Sequence, residues 1–153
     1  MPSRRDLIRM TDEEVEQFLD GRHTMNVATV GLGGRIHLVA MWYGFLEGVP
    51  AFWTYGKSQK ILNLRRDPRL TALVETGEQY EELRGVELVG TGTIVEEQDR
   101  IMALGRSVFE RYTGPYSDEM APVLEATGAK RLVVKLEIES IVSWDHSKLG
   151  GRY

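Results

Sequence analysis

The run from Ile36 to Leu46 constrains this chain most. It follows the turn formers Gly33-Gly34, precedes Glu47-Gly48, and is almost wholly apolar, so it lacks the polar alternation of a strand with one wet face. A strand of this character is expected to be buried on both faces, inside a closed barrel or against a second subunit. Its neighbours read the same way. Met25 to Val30 forms a strand before it, and Glu47-Gly48 is a hairpin turn into Val49 to Tyr55.

Helix signals surround this β-rich stretch. Thr11-Asp12-Glu13-Glu14 is a capping box followed by the apolar stripe Val15, Phe18 and Leu19, with Gly21 as its stop. From Ser58, the expected N-cap, Ile61 and Leu64 recur at helical spacing until Asp67-Pro68 ends the segment. Leu70 to Glu75 and Val86 to Val95 read as strands around the acidic loop Gly77 to Glu82, and Gly90 and Gly92 suggest a bend or close backbone approach. Ile101 to Tyr112 and Ser117 to Ala126 then read as helices, and Leu132 to Trp144 as a last strand. The 153 residues make one domain, mainly β (α+β), with a small antiparallel barrel and peripheral helices. Gly31-Leu32-Gly33-Gly34 is a hairpin turn rather than a dinucleotide fingerprint, because a strand follows it.

Composition removes several function classes. With 23 acidic against 19 basic residues and a net charge of -4, the chain lacks the basic surplus of a nucleic-acid binder. The absence of cysteine excludes disulfides, thiolate metal sites and cysteine nucleophiles. His23, His37 and His146 stand far apart, so no metal site is expected, and His37 reads as a hydrogen-bonded structural residue. Asp145-His146-Ser147 are consecutive, unlike the convergent members of a hydrolase triad. Glu75, Glu78, Glu81 and Glu82 read as a solvated acidic loop. No apolar run approaches the roughly 18 residues of a membrane span, and a cytoplasmic protein without membrane partners is expected.

Chemistry concentrates between Lys57 and Arg69, directly after the aromatic strand Phe52-Trp53-Thr54-Tyr55. A serine N-cap, free backbone N–H groups and Lys57 and Lys60 in the first turn combine dipole and charge into an anion site suited to phosphate. The other reading of these residues is a solvated basic helix face. Arg65, Arg66 and Arg69 supply outer charge or belong to a salt-bridged face.

Met25-Asn26-Val27-Ala28-Thr29-Val30, the strand Val39-Ala40-Met41-Trp42-Tyr43, and Lys60-Ile61-Leu62-Asn63-Leu64-Arg65-Arg66-Asp67-Pro68-Arg69 together resemble the pyridoxamine 5'-phosphate oxidase-related split β-barrel superfamily. The form Lys-x-x-Asn-Leu-Arg-x-Asp-Pro-Arg is most similar to its flavin/deazaflavin oxidoreductases that use coenzyme F420. The resemblance spans roughly residues 11 to 144. It implies an FMN-binding split β-barrel fold and a homodimer with cofactor sites at the interface. It further implies Lys60 as the principal phosphate ligand, with Ser58, Gln59 and Asn63 beside it; Lys57, a flexible ammonium, can add positive charge there. Trp53 and Thr54 would run along the tricyclic ring, and Val39, Ala40 and Met41 along its other edge.

Members that bind FMN generally carry an arginine at or just before the position of Gln59, and a glutamine near that of Gly85. Ser58-Gln59 and Gly85 stand there instead, which weakens the fit to FMN. The carboxy-terminal tail, residues 145 to 153, is similar to tails of related deazaflavin reductases. By that resemblance it would fold over the cofactor, with Trp144 and Tyr55 walling a small-molecule substrate pocket and His146 as candidate proton donor. The expected function is reduction of a small organic substrate by hydride transfer from reduced coenzyme F420. FMN chemistry of the oxidase type, and a carrier of flavin, deazaflavin or haem without catalysis, are the alternatives.

Overall fold

Ser3 and Thr11 each open a capping box, with Asp6 and Glu14 as the reciprocal partners, and so begin α1 (Arg4–Ile8) and α2 (Asp12–Asp20). The second is the expected helix. The first is additional, and its Ser-x-x-acid spacing is the same signal on a shorter segment. The computed structural model describes residues 1–151.

Two left-handed turns then build the first half of the sheet. Gly33 and Gly34, with φ of 75° and 82°, return β1 (Met25–Val30) antiparallel to β2 (Ile36–Met41). Glu47 and Gly48, at 54° and 79°, do the same between β3 (Gly44–Leu46) and β4 (Val49–Tyr55). Between Leu46 and Val49 the loop is just these two residues, and positive φ at both is what a type I′ hairpin needs. The strain at Glu47 is offset by its carboxylate, which accepts from Arg100 at 2.7 Å and Lys135 at 2.9 Å.

The remaining elements are α3 (Gln59–Arg66), β5 (Arg69–Thr76), β6 (Arg84–Val95), α4 (Gln98–Tyr112), α5 (Ala121–Gly128) and β7 (Arg131–Asp145). All strand pairings are antiparallel, in the order β2-β1-β5-β6-β7-β4-β3. The sheet curls into the expected mainly β split barrel with helices at its periphery. Gly90 marks the bend: the β6–β7 register shifts between Val89 and Gly90, where a Cβ would stand 1.9 Å from the Glu137 carbonyl oxygen. No helix is long and apolar enough to cross a membrane.

Ile36 to Leu46 departs from the expected doubly buried strand. It divides at Trp42-Tyr43 into β2 and β3, which lie at opposite edges of the sheet. The cause is a set of side-chain bonds to the Tyr43 backbone: its N–H donates to Tyr112 Oη at 3.3 Å, and its carbonyl accepts from Arg111 Nε at 2.9 Å. Side chains thus satisfy the groups a neighbouring strand would otherwise pair. β3 is buried beneath α4, where Ser107 Oγ accepts from the Phe45 N–H at 3.0 Å. β2 instead leaves Ile36 and Leu38 59% and 67% exposed.

Two apolar clusters fill the molecule. Met25, Val27, Phe52, Ile61, Val74 and Leu88 belong to the larger one, inside the curled sheet. Ala51, Ile101, Leu104 and Val133 belong to the second, which joins α4 to β4 and β7. Burial of these side chains at roughly 25 cal/mol per Å² is the main force holding α3 against β1 and β6, and α4 against β3, β4 and β7.

Candidate functional site

A cleft of about 420 Å³ opens where β4 runs into α3. β4 contributes Trp53, Thr54 and Tyr55, and the end of β2 contributes Ala40 and Met41. Lys60 enters from α3, while Trp42, Val108 and Arg131 complete the walls. The volume is that of a small-molecule site.

Lys60 is 8% exposed and pairs with no carboxylate among the described residues. Burial pushes its pKa below the ordinary lysine value. An ammonium in this setting is costly until an anion joins it. Ser58 holds the N-cap position of α3, as expected, yet its side chain caps no N–H; its Oγ lies 3.3 Å from Thr54 Oγ1. The first-turn N–H groups therefore have no side-chain acceptor and present the positive end of the helix. Lys57 and Gln59 are exposed beside them.

Asn63 lies beneath this opening rather than along it. Fully buried, it accepts from Gln59 Nε2 at 2.8 Å and Arg66 Nη2 at 3.2 Å, and donates to Thr29 Oγ1 at 3.0 Å. The side chain ties α3 to β1 and spends its amide inside the fold. The arginines of the motif are likewise engaged. Arg65 pairs with Glu96 at 2.7 Å, and Arg69 with Asp67 at 2.6 Å, which drives the Asp67 pKa down to about 2. Val39 is half-buried opposite Val27 in β1 and does not line the cleft.

Trp144 and His146 stand apart from Lys60, and neither lines its cleft. Trp144 pairs with Gly85 across β6 and β7, and a Cβ on Gly85 would meet the indole at 2.2 Å. Tryptophan thus occupies the room that a side chain at residue 85 would need. His146 donates its backbone N–H to Leu83 at 2.9 Å; its Nδ1 lies 2.9 Å from the Tyr80 carbonyl oxygen. The turn His146–Leu149 packs against α1 and the Tyr80–Glu82 turn, and Lys148 bonds Glu14 and the Arg9 carbonyl. Residues 152 and 153 of the tail lie outside the described residues. His37 corrects an expectation: its Nδ1 is buried without a hydrogen-bond partner among the described residues.

Arg131, like Trp42 and Val108, is a cleft residue that sequence reasoning missed. It opens β7 opposite Tyr55, with its guanidinium carbon 4.4 Å from the Tyr55 ring centroid and 5.2 Å from that of Trp53. Nη1 donates to the Thr127 carbonyl at 2.5 Å. Only the β4–β7 pairing, which joins segments remote in sequence, reveals this placement.

A curled seven-strand antiparallel sheet with helices at its periphery is the architecture of the split barrels related to pyridoxamine 5'-phosphate oxidase. Residues 11–145 match the pyridoxamine 5'-phosphate oxidase family, and the chain belongs to it. The conserved hypothetical protein Rv2991 from Mycobacterium tuberculosis is 43% identical, with a TM-score of 0.94 over 99% of this chain and 95% of that one. An F420 reductase is 24% identical, with a TM-score of 0.65 over 82% of this chain and 94% of its own. The haem storage protein HutZ from Vibrio cholerae is 16% identical, with a TM-score of 0.68 over 89% and 97%. At these lower identities the likeness is one of fold. No curated protein matches the sequence.

Proposed function

We propose that the protein is a coenzyme F420-dependent reductase of small organic molecules that works as a homodimer. The observation that carries this reading is the buried Lys60 ammonium, without a counter-ion among the described residues, at the uncapped start of α3. Membership of a family that contains oxidoreductases supports a redox role. When bound, the reduced deazaflavin supplies the hydride, so the chain itself needs no nucleophile.

The residues present fit a phosphate-bearing cofactor. Lys60 and the first-turn N–H groups hold the phosphate, and Lys57 adds charge from outside. Thr54, Met41 and Ala40 orient the ring system between β4 and β2. Trp42, Tyr55 and Arg131 narrow the mouth and limit water. FMN shares the phosphate contact, but Gly85, overlaid by Trp144, leaves no room for the glutamine that the FMN-binding resemblance calls for.

The homodimer reading is supported by β2, an unpaired edge that leaves Ile36, Leu38 and Trp42 exposed while giving Ala40 and Met41 to the cleft. A second copy seated there buries these side chains and walls the cleft in an isologous arrangement.

Fluorescence titration of the apo-protein with coenzyme F420, and with FMN at equal salt and pH, tests the cofactor. F420 is expected to bind at micromolar or tighter concentration and FMN more weakly. Lys60→Ala should weaken F420 binding about tenfold or more, the usual worth of a charge-assisted bond. Unchanged affinity in that variant overturns the reading.

A further inference from the structure

We propose that the cleft admits a planar, conjugated carboxylate, held by Arg131 with Lys130 at the rim and opposite the phosphate position at Lys60. The role of this carboxylate as substrate rests on the reductase reading; its binding does not. The first observation is a second recess of about 710 Å³ that adjoins the Lys60 cleft and shares Tyr55 and Arg131 with it. Val123 and Ala126 of α5 give it an apolar wall, and Lys130 stands at its edge.

Charge makes the second observation. Lys60, Lys130 and Arg131 line the two recesses, and no carboxylate does, in a chain with 23 acidic residues. None of these three cations forms an ion pair among the described residues, whereas Arg65, Arg69, Arg100 and Arg106 all do. An acidic protein thus lines both adjoining recesses with cations and with no carboxylate.

Arg131 is held ready for a carboxylate. Stacking on Tyr55 and Trp53 and the bond from Nη1 to Thr127 fix its plane. Nε and Nη2 meet no acceptor among the described residues, and that edge of a guanidinium takes a carboxylate bidentately. A donor fork fixed before binding loses little entropy when it binds. Capping the end of α5 accounts for Nη1 alone; it explains neither the idle edge nor the exclusion of acidic residues. The aromatic and aliphatic surfaces of Trp42, Tyr55 and Val123 favour a flat apolar body attached to that carboxylate.

Calorimetric titration of the full-length apo-protein with 2-naphthoate and its isostere 2-naphthamide tests this without any cofactor. The acid should bind about tenfold or more tighter than the amide, with the difference shrinking as salt rises. Arg131→Gln should reduce the preference to about twofold or less, and Lys130→Gln should reduce it by a smaller factor. Arg131→Lys, which retains charge and stem but not the fork, should fall between wild type and Arg131→Gln. Equal binding of acid and amide, absence of binding, or a preference that survives in folded Arg131→Gln overturns the proposal. Naphthoate preference without F420 binding would sink the reductase reading and leave this site standing; F420 binding without the preference would do the reverse.

Discussion

Lys60 and Tyr43 make opposite contributions to stability as pH rises. Burial lowers the Lys60 pKa from its ordinary 10.5, so between the lowered value and 10.5 the unfolded chain binds more protons. Its contribution therefore improves with pH in that window, while affinity for a phosphate falls as the ammonium is lost. Tyr43 is fully buried and donates to the Leu19 carbonyl at 2.5 Å; burial pushes its pKa from 10.0 up to about 12. Between those values the unfolded chain binds fewer protons. Stability present below pH 10 is then lost by pH 12, on the order of 2 kcal/mol. Urea unfolding across alkaline pH should show the Tyr43 loss in wild type and in Lys60→Ala, with the Lys60 gain absent from the variant. Parallel profiles would show that Lys60 is not buried as an ammonium. Lys60 was legible because it follows a serine N-cap and an aromatic strand. The duty of Asn63 was not, because Thr29, its partner, is 34 residues away.

Arg111 organises an element to which it does not belong. Its guanidinium donates to the carbonyls of Leu19, Asp20 and Gly21 at 3.2, 3.1 and 2.9 Å, closing the end of α2, and to Tyr43 at the β2–β3 break. Gly21 was legible as the stop, but with φ of -63° it is not a left-handed cap, and a distant arginine supplies the missing donors. Replacing it leaves several carbonyls with one fewer donor and removes contact with the Tyr43 and Phe45 rings. Arg111→Met should cost about 2–4 kcal/mol in urea unfolding. A loss below about 0.5 kcal/mol would mean that water satisfies these groups equally well. The same bonds explain why the division of Ile36 to Leu46 could not be read locally: its apolar pattern is continuous, and the break is imposed by Arg111 and Tyr112.

Across the whole molecule, turn residues and apolar periodicity made most elements legible, and the glycines in β6 announced its bend. Strand order was not legible, because β4 pairs with β7 and so joins Tyr55 to Arg131, the contact that shapes the cleft. The proposed homodimer assigns the apolar excess of β2 to contact with a second copy. Leu38 tests that relation directly. At 67% exposure it contributes little within the protomer, so Leu38→Lys should change protomer stability by no more than about 0.5 kcal/mol. In an isologous dimer the new charge meets its symmetry mate's surroundings without water, and sedimentation should report a monomer. F420 affinity should fall with it, since β2 also carries Ala40 and Met41 into the cleft. A dimer that persists would move the interface away from β2. A monomer with undiminished F420 affinity would retain the interface and show that each cleft binds its cofactor alone.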